Sequence, residues 1–87
     1  MAREVLVVNA LGLHARAAAR FVGLASRFQS QIRVQSGDRM MDGKSILGLL
    51  LLAAARGTRL TISAEGPDES AAVESLAAFA LDGFTEP

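Results

Sequence analysis

The 87-residue sequence has no cysteine, no tryptophan and no tyrosine, and only one histidine. Without cysteine there is no disulfide framework and no thiolate metal site. The same absence fits a reducing compartment. One histidine with no cysteine beside it argues against a structural zinc site, and no cofactor or metal is expected. The four phenylalanines fall on helical segments or on the tail. The stacking sheet of an RNA-binding domain is therefore missing, and no nucleic acid is expected as a partner. Long apolar runs are missing too. The longest, Ile46 to Ala55, spans ten residues and is broken by Gly48, far short of the ~20 residues of a membrane span. The chain opens Met-Ala-Arg-Glu with no apolar region of a signal peptide. The length predicts a single domain over residues 1–87, and the absences a cytoplasmic protein with no membrane insertion; a monomer is expected.

Net charge is also absent, since nine bases balance nine acids. A global electrostatic binder is thereby excluded. The zero is not made of scattered pairs, however. Residues 1–59 hold all nine bases and only Glu4, Asp38 and Asp42, which is 9 − 3 = +6. Residues 60–87 hold the other six acids and no base, which is −6. This order predicts a basic side and a remote acidic side.

What is present alternates between two periods. Glu4 to Val8 is a β-branched run ended by Asn9, which reads as a strand. Asn9-Ala10-Leu11-Gly12 reads as a turn. From Ala15 to Phe28 apolar residues recur at helical spacings of three and four. Gln31 to Gln35 alternates as a strand, and Gly37-Asp38 is a hairpin turn leading to a short strand, Arg39 to Asp42. Ser45 to about Leu52 is a helix apolar almost all round. Arg59 to Glu65 alternates again, with Leu60, Ile62 and Ala64 inward. Pro67, Asp68 and Glu69 open a last helix whose stripe is Ala72, Val73, Leu76, Phe79 and Ala80. Gly83 ends it, and Phe84 to Pro87 reads as a frayed tail in which Phe84 alone has reason to dock.

The order β-α-β-β-α-β-α, with one inward stripe per helix, specifies an α+β fold of two layers. Pattern alone leaves the strand order open, and a ferredoxin-like arrangement suits the string equally well.

The chemistry centres on His14, at or next to the start of the first helix. First-turn N–H groups have no intrahelical partner, so they and the helix dipole form an anion site. Arg16 adds a permanently charged donor fork. An imidazole is largely neutral at pH 7 and therefore nucleophilic. These parts suit a phosphoryl group carried on His14, held by the backbone of Ala15, Arg16 and Ala17. A plain capping histidine would satisfy the same residues.

Gly12-Leu13-His14-Ala15-Arg16 resembles the active-site segment of HPr, the histidine phosphocarrier family of the bacterial phosphotransferase system. Gly43-Lys44-Ser45-Ile46-Leu47-Gly48 is similar to that family's regulatory-serine motif. Gly57-Thr58, together with Ile62 to Glu69, is similar to its last strand and the start of its last helix. The three segments keep the family's spacing and cover essentially the whole chain. The resemblance implies an open-faced β-sandwich with sheet order 1-4-2-3 and three helices on one face. It implies phosphorylation of His14 on Nδ1 by phosphorylated enzyme I and transfer to a histidine of an enzyme IIA. The protein would then be a carrier and not an enzyme. One departure is Ala17, where the family usually has proline, which puts the transfer rate in question. Ala10-Leu11 and Leu81 to Phe84 look more like the nitrogen-related branch than the sugar-transport branch.

Two surfaces follow. Arg16, Arg20 and Arg27 are spaced to share one stripe of the first helix, which by resemblance meets acidic partner surfaces. Ile46, Leu47 and Leu50 lie on one side of the second helix, with Leu49 and Leu52 on the core side. A domain this small cannot bury them all, and by resemblance Ile46, Leu47 and Leu50 contact enzyme I and the IIA proteins. Ser45 is a natural N-cap. By resemblance it is also a substrate of an HPr kinase/phosphorylase. That leaves a second reading, a regulatory binding module switched at Ser45 with His14 vestigial.

Overall fold

The computed structural model describes residues 1–85. Its elements are β1 (Ala2–Leu6), α1 (Ala15–Ala25), β2 (Gln31–Ser36), β3 (Arg39–Asp42), α2 (Ile46–Leu51), β4 (Arg59–Glu65) and α3 (Glu69–Leu81), with a terminal 3-10 turn at Gly83–Thr85. The four strands form one antiparallel sheet in the order β1-β4-β2-β3. This is the α+β open-faced sandwich, and it decides against the ferredoxin-like alternative.

The register explains the core. Ile32 opposes Ala64, Val34 opposes Ile62, and Val5 opposes Leu60. All six are buried on one face of the sheet. The opposite face carries Glu4, Thr61, Ser63, Arg33 and Gln35, the polar half of the same alternation. Ala17, Ala18, Phe21 and Ala25 of α1, Leu49 of α2 and Ala72, Val73 and Leu76 of α3 close the core from the helical layer. Alanine at these helix positions lets backbone and sheet approach closely, which suits a domain with little volume to fill.

Three boundaries differ from the sequence reading. β1 starts at Ala2 and not Glu4, because β4 is long enough to pair Ala2 with Ser63 and Arg3 with Ile62. Pairing continues past its end, as the Val7 N–H donates to the Thr58 carbonyl at 2.9 Å. α1 stops at Ala25 and not at Phe28, and Arg27 and Phe28 N–H groups bond carbonyls three residues back. Tertiary contacts draw the chain away there. The Lys44 ammonium donates to the Phe28 carbonyl at 2.7 Å, and the Gln29 and Ser30 N–H groups donate to the Asp68 carboxylate, each at 2.9 Å.

The third difference is the tail. Phe84 is completely buried, edge-on to Phe79 at 5.8 Å and to Phe21 at 6.5 Å between ring centroids. The expected fraying therefore does not begin at Phe84, and Glu86 and Pro87 lie outside the described residues. Docking the ring requires Gly83, Phe84 and Thr85 all to take positive φ (67°, 56° and 59°). For the two non-glycine residues this conformation is intrinsically unfavourable, so burial of the ring must outweigh it.

Candidate functional site

The loop between β1 and α1 is fixed before His14 is reached. The Gly12 N–H donates to the Asn9 carbonyl at 3.2 Å, and the Asn9 side-chain amide donates to the Gly12 carbonyl at 2.8 Å. The Leu13 N–H donates to the Ala54 carbonyl at 2.9 Å. Gly12 has φ +67°, and a Cβ there would stand 2.4 Å from the Ala54 carbonyl oxygen. Only glycine fits, so the loop rests directly on the segment that follows α2.

His14 is the N-cap of α1, with extended backbone (φ −84°, ψ −178°). Its carbonyl accepts the Ala18 N–H at 2.8 Å, the first bond of the helix. Its Nδ1 accepts the Arg16 N–H at 3.3 Å. That hydrogen bond assigns the lone pair to Nδ1 and aims it at the amino end of the helix. Ala15 and Arg16 are exposed, while Ala17 has no accessible surface. Of the three backbone groups expected to meet an anion, the Ala17 amide is thus the covered one. Among the described residues no group of three acidic, histidine or cysteine side chains is placed to hold a metal. No helix among them is long and apolar enough to cross a membrane.

Of the expected arginine stripe, Arg16 and Arg20 lie on α1, but Arg27 lies in the turn beyond it. Arg20 and Arg27 still line one groove, with Gly23, Leu24, Phe79 and Thr85. The Arg20 guanidinium also donates to the Phe84 carbonyl at 3.3 Å. The charge split of the sequence does not map cleanly onto two sides. Glu69 pairs with the Met1 ammonium, and Glu74 pairs with Arg3. Acids of the second half are thereby offset by cations of the first, because α3 packs on β1.

Ser45 caps α2, its Oγ accepting the Gly48 N–H at 3.0 Å. At the other end the Arg39 guanidinium donates to the Leu51 carbonyl at 2.8 Å. So short a helix gains much from being tied at both ends. Leu49 and Leu52 are buried, while Ile46 and Leu47 are 43% and 67% exposed. Leu50 is half-buried against the core, so its side chain is shared between core and surface. Leu11 and Leu51 are exposed as well, at 69% and 51%. Neither belongs to the docking surface expected from the sequence, where Leu51 is one more leucine of the apolar run and Leu11 falls in the Asn9–Gly12 turn.

The comparisons agree with this geometry. The family model for the PTS HPr component phosphorylation site matches residues 1–81. The phosphocarrier protein HPr of Pseudomonas putida is 44% identical over 86 residues, covering 98% of this chain and 96% of that protein. The phosphocarrier protein NPr of Shewanella violacea is 38% identical over 84 residues, covering 97% and 92%. A crystal structure of HPr from Thermoanaerobacter tengcongensis superposes with a TM-score of 0.95 at 38% identity, covering 100% of this chain and 98% of that one. A structure of an HPr dimer from the same organism matches with a TM-score of 0.79 at 43% identity over 86% of each chain. With the strand order, the capped histidine and full-length matches in agreement, the chain belongs to the HPr family of phosphocarriers of the phosphotransferase system.

Proposed function

We propose that His14 accepts a phosphoryl group from phosphorylated enzyme I and passes it to a histidine of an enzyme IIA, in the cytoplasm and as a monomer. The observation that carries this is His14 Nδ1 at the amino end of α1, accepting the Arg16 N–H. In the step, the Arg16 N–H releases Nδ1, whose lone pair attacks phosphorus, and an N–P bond forms. The N–P bond to the donor's histidine breaks, and its electron pair stays on that imidazole. No other group gains or loses electrons. The transferred oxygens then lie over the first turn, where the amides of Ala15 and Arg16 and the Arg16 guanidinium offset their charge. Onward transfer is the same step in reverse toward the next histidine, so the protein needs no turnover of its own.

Docking falls to Arg16, Arg20 and Arg27, which steer acidic partners, and to the apolar surface of Ile46, Leu47 and Leu50. Ser45, the N-cap of the helix that carries this apolar surface, is a regulatory phosphoacceptor for an HPr kinase/phosphorylase. A phosphoserine carries about two negative charges. These favour the helix start but oppose an acidic partner. The test is incubation with enzyme I and phosphoenolpyruvate. The parent protein takes up one acid-labile phosphate and His14→Ala takes up none. Equal labelling of the variant overturns the assignment. Label appearing only at Ser45, from ATP and a kinase, favours the regulatory module instead.

A further inference from the structure

The most exposed large apolar side chain is Leu11, at 69%. A lone exposed leucine is ordinary, but this one is held in place. It sits in the Asn9–Gly12 turn, closed by the Gly12 N–H to Asn9 carbonyl bond and by the Asn9 amide to Gly12 carbonyl bond. The next residues, Gly12 and Leu13, are buried and clamped on Ala54. The fold thus fixes both flanks of Leu11 and leaves its side chain in solvent.

Its distance from His14 is bounded by the chain. Three peptide units separate the two Cα atoms, at most about 11 Å. An ordinary protein interface covers about 800 Å² per partner, a disc of about 16 Å radius. A partner that brings its own histidine to His14 centres that disc on His14. With the disc so centred, Leu11 falls within its radius. The loop that carries it packs on Ala54 and Ala55, just after α2.

We infer that Leu11 is a specificity-determining contact, seated in an apolar recess next to the histidine of the phosphoryl donor; the inference rests on the carrier reading of His14. The preformed turn means that little ordering is lost when it docks. The experiment compares the parent, Leu11→Ser and Leu11→Met as substrates of phosphorylated enzyme I. Phosphoramidate, a small donor that needs no docking, serves as a parallel donor. For Leu11→Ser the KM rises about tenfold, the size expected when a leucine side chain is no longer buried. Its kcat and its rate with phosphoramidate stay at the parent values, and Leu11→Met restores the KM. An unchanged KM for Leu11→Ser overturns this inference alone. A fall in the phosphoramidate rate also overturns it, because Leu11 would then act on the His14 site itself. A parent that takes no phosphate from enzyme I overturns the carrier reading and this inference together.

Discussion

Replacing Phe84 by alanine tests whether three residues in left-handed backbone are a stable part of the fold. The ring is fully buried between Phe21 and Phe79. Truncating such a phenylalanine costs about 3–5 kcal/mol when the site cannot collapse. Part of that returns if the tail lets go. Phe84 and Thr85 sit at φ 56° and 59°, and each left-handed residue costs roughly 1–2 kcal/mol. Full release thus returns about 2–4 kcal/mol, and at the midpoints of the two ranges a loss of about 1 kcal/mol remains. In a domain of this size each kcal/mol moves Tm by about 4–8 °C. The assay is thermal unfolding followed by circular dichroism, with urea unfolding as a second measure. Phe84→Ala lowers Tm by about 4–8 °C, whereas Thr85→Gly, which relieves one left-handed residue without touching the ring, does not lower it. A Phe84→Ala protein that melts with the parent refutes the reasoning and leaves the tail as the frayed segment its composition implies.

Further outcomes follow from the same geometry. Ser45→Ala removes the acceptor of the Gly48 N–H and costs about 1 kcal/mol in urea unfolding. Ser45→Asp keeps the cap and stays near parent stability, but slows phosphorylation by enzyme I, as a charge beside the docking surface should. Gly12→Ala drives a Cβ into the Ala54 carbonyl; it lowers stability by more than about 1 kcal/mol and impairs labelling of His14. Asp68 is held below its usual carboxylate range by the Ser30 hydroxyl and then the Gln29 N–H. Around the usual carboxylate pKa the unfolded chain therefore binds more protons than the folded one. The clasp contributes fully above that pH and is lost as pH falls below it, so Ser30→Ala flattens the acid limb of the stability–pH curve. Raising ionic strength slows association with enzyme I if Arg16, Arg20 and Arg27 steer it; an association rate indifferent to salt argues against that role.

Local pattern carried most of the fold. The alternation of Arg59 to Glu65 identified the faces of β4, and Gly37-Asp38 located the hairpin turn. Such signals are written in neighbouring residues. What was not legible depends on partners distant in sequence. Ala2 and Arg3 have no marked strand preference and become strand because β4 reaches them. Arg27 looked helical, yet Lys44 and Asp68 hold the following residues in a loop. Phe84 looked like tail because nothing local announces the gap between Phe21 and Phe79. At the site, His14, Arg16 and Ser45 stood out as residue types at helix starts. The support of the His14 loop by the Ala54 carbonyl did not, because a backbone acceptor leaves no mark in the sequence.

The central claim concerns one nitrogen atom. Phosphorylating the protein uniformly labelled with ¹⁵N, using enzyme I and phosphoenolpyruvate, and recording ³¹P–¹⁵N coupling in the imidazole tests it directly. The account predicts a single phosphoryl group per chain, coupled to Nδ1 of His14, that leaves on addition of an enzyme IIA. Phosphate on any other residue, or a phosphohistidine that no enzyme IIA discharges, would contradict it.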